Sequence, residues 1–205
     1  MRLGLLGGTF NPPHLGHLLC AQEAHAQLGL DRVRLLPVAS PPHKEIAGDP
    51  GPQTRLELCR LAVGDDDRLG VSDLEVCRGG PSYTADTLRE LHARAPEDEL
   101  TFIVGGDMAL SLPTWREPEA VLELATVAVA ERSGAARQDI IDHLAGIGAA
   151  DRVRFFDMPR LDVSSSEIRA RVADGRPIRY LIPDAVAANI EQRGMYTHMA
   201  RATTA

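Results

Sequence analysis

Apolar residues in this chain come in short continuous runs, separated by stretches with a polar and an apolar face. That alternation predicts a parallel β-sheet covered by helices on both faces. Leu3, Leu5 and Leu6 predict a buried first strand, which reads as an unbroken apolar run when both faces are covered. A helix over 15–28, ended by Gly29, and a strand over 33–36 follow. The segment 38–52, VASPPHKEIAGDPGP, predicts a long Pro/Gly-rich loop, of a kind that more often serves function than decoration. Thr54 and Glu57 have capping-box spacing for a helix ending at 63. An extended strand over 69–76 leads to a Gly79-Gly80 turn, and Ser82 or Thr84 opens a helix that stops before Pro96. Strands over 100–104, 126–130 and 153–156 then alternate with helices from about 118 and over 137–144. Ser164 with Glu167 makes a second capping box for a helix through 172, and Asp184 starts the last helix.

At 205 residues the chain is long enough for one α/β domain over 1–205, with a small helical C-terminal subregion at about 160–196. No apolar stretch approaches the roughly 18 residues of a membrane span, and the first residues enter a strand without a signal-peptide pattern, so cytoplasmic residence is expected. Cys20, Cys59 and Cys77 are scattered, which indicates neither a disulfide framework nor a zinc site. Cys20 and Cys59 fit as small core residues. A formal net charge of -7 argues against nonspecific binding to nucleic acid or an anionic membrane, but not against a nucleotide held by a local cluster. Of the 22 basic side chains, Lys44 is the single lysine. It is either a chance survivor or a compact ammonium kept for a phosphate.

The first 17 residues, MRLGLLGGTFNPPHLGH, run a strand into a glycine turn and then two histidines. Gly7 and Gly8 are expected to turn the chain sharply and let it approach a ligand, since they lack a Cβ. Pro12 and Pro13 delay the helix to about Leu15 or Gly16, which puts His17 in its first turn. Unpaired N–H groups and the helix dipole favour an anion there, and a phosphate fits best. The segment has neither the P-loop lysine nor the dinucleotide fingerprint. Zinc at His14 and His17 lacks partner ligands in sequence, and ordinary loop and capping histidines remain the plain alternative.

GGTFNPPHLGH resembles the phosphate-binding H-x-G-H signature of the nucleotidylyltransferase superfamily, and VSSSEIR at 163–169 is similar to its second signature, I-S-S-T-x-I-R. PPHK at 41–44, SYTADTL at 82–88, FIVGGDM at 102–108, Trp115 after Leu-Pro-Thr, and YLIPDAV at 180–186 narrow the resemblance to bacterial nicotinate-nucleotide adenylyltransferases. It runs from residue 1 to about 196. Ser166 stands for the usual threonine, and ERSG at 131–134 for the frequent R-P-G.

The resemblance implies a Rossmann-like fold and transfer of the adenylyl group of ATP to nicotinate mononucleotide, releasing pyrophosphate. It implies His14, His17, Lys44 and Arg169 as the catalytic set. ATP would lie against Gly7, Gly8, Thr9, Phe10, Gly105, Asp107, Arg132, Ser164 and Ser165 as well. Nicotinate mononucleotide would meet Lys44, Ser82, Tyr83, Thr84 and Trp115. Mg²⁺ is expected to arrive with ATP, and no protein metal ligand is assigned. Taken alone, Asp107 also fits a turn, Trp115 the core and Arg132 the surface. An adenylyltransferase acting on nicotinamide mononucleotide or phosphopantetheine, and a nucleotide-binding regulator, stay open as alternatives.

Overall fold

The computed structural model describes residues 1–42, 45–131, 137–148 and 151–197. The expected apolar runs form the strands β1 (Arg2–Gly8), β2 (Arg32–Pro37), β3 (Leu69–Val71), β4 (Glu99–Gly105), β5 (Ala125–Glu131) and β6 (Val153–Asp157). They make one sheet of order β3-β2-β1-β4-β5-β6, with every neighbouring pair parallel. The helices are α1 (Leu15–Leu28), α2 (Pro52–Val63), α3 (Leu74–Arg78), α4 (Thr84–Arg94), α5 (Gly106–Ser111), α6 (Pro118–Leu124), α7 (Arg137–Ala145), α8 (Ser165–Ala173) and α9 (Asp184–Gln192).

Side chains alternate across each strand, so the two faces of the sheet build separate cores. Leu3 and Leu5 of β1, Phe102 and Val104 of β4, and Val127 and Val129 of β5 pack under α3 to α7. Leu6, Ile103 and Ala128 point the other way, onto Cys20, Ala21 and Ala24 of α1 and Cys59 of α2. Cys20 and Cys59 are thus core residues, as expected. A third cluster joins Leu58 and Ala62 of α2 to Val163, Ile168, Ile182, Val186 and Ile190, and so seats α8 and α9 beside α2. That cluster fixes the second signature relative to the sheet.

Three local expectations are corrected. Residues 69–76 are not one strand: β3 stops at Val71, Ser72 N–H makes a last bond to Leu35 O at 2.9 Å, and α3 follows. Leu74 and Val76 mimic a strand alternation, but Glu75 between them is buried too, and Thr87 Oγ1 donates to its carboxylate at 2.7 Å. The Thr54/Glu57 capping box does not form. Helix α2 starts at Pro52 after Gly51, and Glu57 instead accepts from Arg193 Nη2 at 2.6 Å. At α8 only half of the box is present: Ser164 Oγ accepts from Glu167 N–H at 3.1 Å, while the Glu167 carboxylate turns to Arg171 at 3.0 Å. Helix α5, opened by two glycines, had no sequence expectation.

Candidate active site

Strand order reverses direction between β1 and β4, and ligands of open parallel sheets bind in the crevice beyond the strand ends at such a point. Pairing of β1 with β4 ends at Leu6–Ile103, so the two strand ends part there, Gly7-Gly8 staying paired with β2 and Val104-Gly105 with β5. The expected sharp turn at Gly7 and Gly8 is corrected: both lie in the strand, and the turn falls to Phe10, a buried residue at φ 50. The glycines are needed for packing instead. A Cβ on Gly7 would stand 2.9 Å from Phe102, and one on Gly8 would stand 2.9 Å from Phe10.

Beyond Phe10 the chain passes Asn11 and the two prolines, and His14 caps α1 in an extended conformation. The His14 and His17 rings stack at 3.7 Å, and Phe10 packs edge-on against His17 at 4.9 Å. His14 N–H donates to His17 Nδ1 at 3.1 Å. With Nδ1 accepting, a neutral His17 carries its proton on Nε2, a donor on the far side of the ring. The expectation of unpaired N–H groups in this first turn is corrected in part. Leu15 N–H donates to Leu181 O at 3.0 Å and His17 N–H to His14 O at 2.9 Å, so these two backbone donors are already used within the protein.

The two distant signatures meet here. Ser165 Oγ donates to Pro12 O at 2.8 Å and Arg169 Nη1 to Asn11 O at 2.7 Å, bridging 153 and 158 residues of sequence. Arg169 Nη2 reaches Ser166 Oγ at 3.2 Å, while its buried Nε has no hydrogen-bond partner among the described residues. Burial holds the Arg169 guanidinium below the usual arginine range, and Tyr196 works against that shift. The Tyr196 phenol is pushed up by burial and stays neutral, donating to Asn11 Oδ1 at 2.7 Å. Asn11 Nδ2 in turn donates to Ala47 O at 3.0 Å. One buried residue, Asn11, therefore joins the turn to the second signature through its main-chain carbonyl, and to the C-terminal segment and the long loop through its side-chain amide.

On the other wall, Trp115 lies edge-on to Phe102 at 5.9 Å and donates from Nε1 to Ser111 Oγ at 3.0 Å. The Arg116 guanidinium covers the Tyr83 ring at 4.6 Å. Thr84 opens α4 and is partly exposed. Ser82 is committed to the loop: its Oγ accepts from Ala39 N–H at 3.0 Å. Gly105 has open space where a Cβ would stand, and Asp107 is exposed in the first turn of α5. Lys44 and Arg132 lie outside the described residues. Among the described residues no cluster of His, Cys, Asp and Glu is arranged to hold a metal ion, and no helix is long and apolar enough to cross a membrane.

Sequence reasoning missed Arg55, whose guanidinium is fully buried beneath the crevice, and the parts played by Asn11, Glu75 and Tyr196. Arg55 had a readable signal. Spacing at 55, 58, 59 and 62 puts it on the apolar stripe of α2, with Leu58, Cys59 and Ala62.

A glycine-tipped parallel sheet whose switch-point crevice gathers imidazole, hydroxyl and guanidinium groups defines a nucleotide-binding α/β protein, and residues 5–171 match the family model described as Cytidylyltransferase-like. A relative from Citrifermentans bemidjiense, named "Probable nicotinate-nucleotide adenylyltransferase", is 46% identical over 212 residues, covering 96% of this chain and 98% of its own. One of the same name from Shouchella clausii is 44% identical over 195 residues, covering 95% and 96%. The chain belongs to the cytidylyltransferase-like family and, within it, to the nicotinate-nucleotide adenylyltransferases. In fold it is similar to a solved Plasmodium falciparum nicotinic acid mononucleotide adenylyltransferase complexed with NaAD, with TM-score 0.78 at 16% identity, covering 95% and 97% of the two chains.

Proposed function

We propose that the crevice binds ATP and nicotinate mononucleotide and joins them to nicotinate adenine dinucleotide and pyrophosphate, a step of NAD biosynthesis. A 5′-phosphate oxygen of the mononucleotide attacks the α-phosphorus of ATP. The new P–O bond forms as the bond from the α-phosphorus to the bridging oxygen breaks, and pyrophosphate leaves with those electrons. The nucleophile is already ionised, so the protein's task is alignment and stabilisation of developing negative charge.

The carrying observation is the junction of the two signatures, with Ser165 and Arg169 bonded to the Pro12 and Asn11 carbonyls beside the stacked His14 and His17. In this reading the His17 Nε2–H donates to a phosphate oxygen, and Arg169 turns its remaining guanidinium N–H groups to the same anion. Thr9, Ser164 and the glycine ends of β1 and β4 border the ATP. Tyr83, Thr84 and Trp115 line the place of the pyridine ring, where Trp115 offers an aromatic face. The donor set suits phosphate oxygens rather than a resident cation. A divalent ion, with Mg²⁺ the expected one, therefore arrives on ATP and supplies charge neutralisation along its phosphates. Lys44, in the long loop, is a further phosphate contact in this reading. Substrates of this kind suit a cytoplasmic enzyme without nucleic acid or membrane partners.

The test is turnover of the purified chain with ATP, Mg²⁺ and nicotinate mononucleotide, followed as pyrophosphate release and as dinucleotide by chromatography. Stoichiometric formation of both products is expected. Activity on phosphopantetheine alone, or nucleotide binding with no product, would overturn the proposal.

A further inference from the structure

Arg55 on α2 is fully buried, yet four N–H···O bonds leave its guanidinium. Nε donates to Asp49 Oδ1 at 2.9 Å, Nη1 to Thr9 O at 3.0 Å and Val38 O at 2.7 Å, and Nη2 to Ala39 O at 3.0 Å. An apolar side chain would cost less at a site flanked by Leu58 and Cys59, because a buried cation carries a heavy desolvation penalty. The three carbonyls explain what the cation holds. Strands β1 and β2 stay paired to Gly8–Pro37, and Val38 N–H makes one more bond to Gly8 O at 3.1 Å. There the strands part. One branch turns at Phe10 toward His14 and His17, and the other leads on through Val38 and Ala39.

Arg55 sits at that fork and grips both branches, and through Asp49 it also grips the far end of the loop, next to the point where Asn11 holds Ala47 O. The fork-shaped, always-charged guanidinium can hold three carbonyls and a carboxylate at fixed angles, which an ammonium cannot. We infer that Arg55 is a positioning residue for adenylyl transfer, setting the phosphate-facing turn relative to the loop across from it. It touches neither substrate and acts through Thr9 and the chain leading to His17. The inference rests on the function proposed above, since alignment of two bound nucleotides is what the clamp serves.

Misalignment by about 1 Å lowers the rate of reaction between bound groups by as much as a hundredfold, while each substrate still binds. The experiment compares Arg55→Lys and Asp49→Asn with the parent chain at a temperature well below the unfolding midpoint of each, counting folded enzyme by circular dichroism. Lysine keeps the charge and the Asp49 pair but loses the carbonyl fork. Its kcat is expected to fall at least about tenfold, with both KM values within about twofold of the parent. Asp49→Asn keeps the carbonyl bonds, and its kcat is expected to fall about threefold, again at constant KM. A folded Arg55→Lys enzyme with parental kcat, or one whose loss lies in KM alone, would overturn the inference and mark Arg55 as a structural group. Where Arg55→Lys does not fold, Asp49→Asn decides: reduced kcat supports the inference and parental kcat overturns it. A parent chain with no turnover is a different result, which removes the proposed function and the inference together.

Discussion

His17 is held by its neighbours more than by its own helix. Phe10 supports one edge of the ring, His14 stacks on a face, and the His14 N–H donates to Nδ1; in the proposed function Nε2–H meets the phosphate. Removing one donor of this kind from a transition-state site costs on the order of a hundredfold or more in rate. His17→Ala is therefore expected to fold normally and lose at least about that much kcat; near-parental turnover would remove His17 from the chemistry. Gly7→Ala makes a second prediction. Its Cβ would press on Phe102, which supports Trp115, so overpacking is expected to cost about 1–3 kcal/mol in thermal or denaturant unfolding. A rise in KM for the mononucleotide, larger than that for ATP, is expected with it. His14, His17 and Arg169 were singled out by the resemblance to two signatures, and the folded chain brings those two segments together. Arg55 was readable as a core-facing position but its role was not, because three of its four bonds go to carbonyls 16 to 46 residues away, and a carbonyl has no side-chain identity to read.

Helix α8 is tied to the turn before α1 through Ser165 and Arg169, and Ser164 caps its first turn. Ser164 Oγ satisfies the Glu167 N–H, and loss of such a cap typically costs about 1 kcal/mol. Ser164→Ala is expected to lower stability by about that amount and to reduce kcat modestly, because Arg169 lies one turn further along. Unchanged unfolding would show that the cap is not formed in solution. Five of the six described strands were legible to within two residues, since a covered parallel strand must be apolar throughout. The errors were at element boundaries. Thr54 and Glu57 have the right spacing for a cap, but Pro52 starts α2 earlier and the tertiary partner Arg193 takes Glu57. Residues 74–76 alternate like a strand, yet Thr87 gives Glu75 a buried partner that only the folded chain can supply.

Across the whole molecule, the acidic balance of -7 coexists with a crevice built from imidazole and guanidinium groups, so local geometry and not net charge selects the ligand. Stability has its own charge dependence. Burial holds the Glu75 carboxyl above the usual glutamate range, with bonds from Ser82 and Thr87 and the charge of Arg78 opposing the shift. The folded state then binds its proton more tightly than the unfolded chain. Stability from this group is full below the unfolded glutamate value and is lost as pH rises through the folded one. Glu75→Gln is accordingly expected to match the parent in unfolding near pH 4 and to become the more stable of the two as pH rises above the usual glutamate range, about 4.3. A constant difference across pH would contradict the raised value. In the proposed function, the carboxylate on the pyridine ring meets the start of α4 at Thr84, and the neutral amide of the nicotinamide form would turn an NH₂ toward the same groups. Polar mismatch of that kind reaches about 10⁴-fold in discrimination. The most direct measurement is kcat/KM for nicotinate mononucleotide and for nicotinamide mononucleotide at saturating Mg-ATP. A preference for the nicotinate form by orders of magnitude is predicted, and a preference for nicotinamide mononucleotide, or no turnover of either, would contradict it.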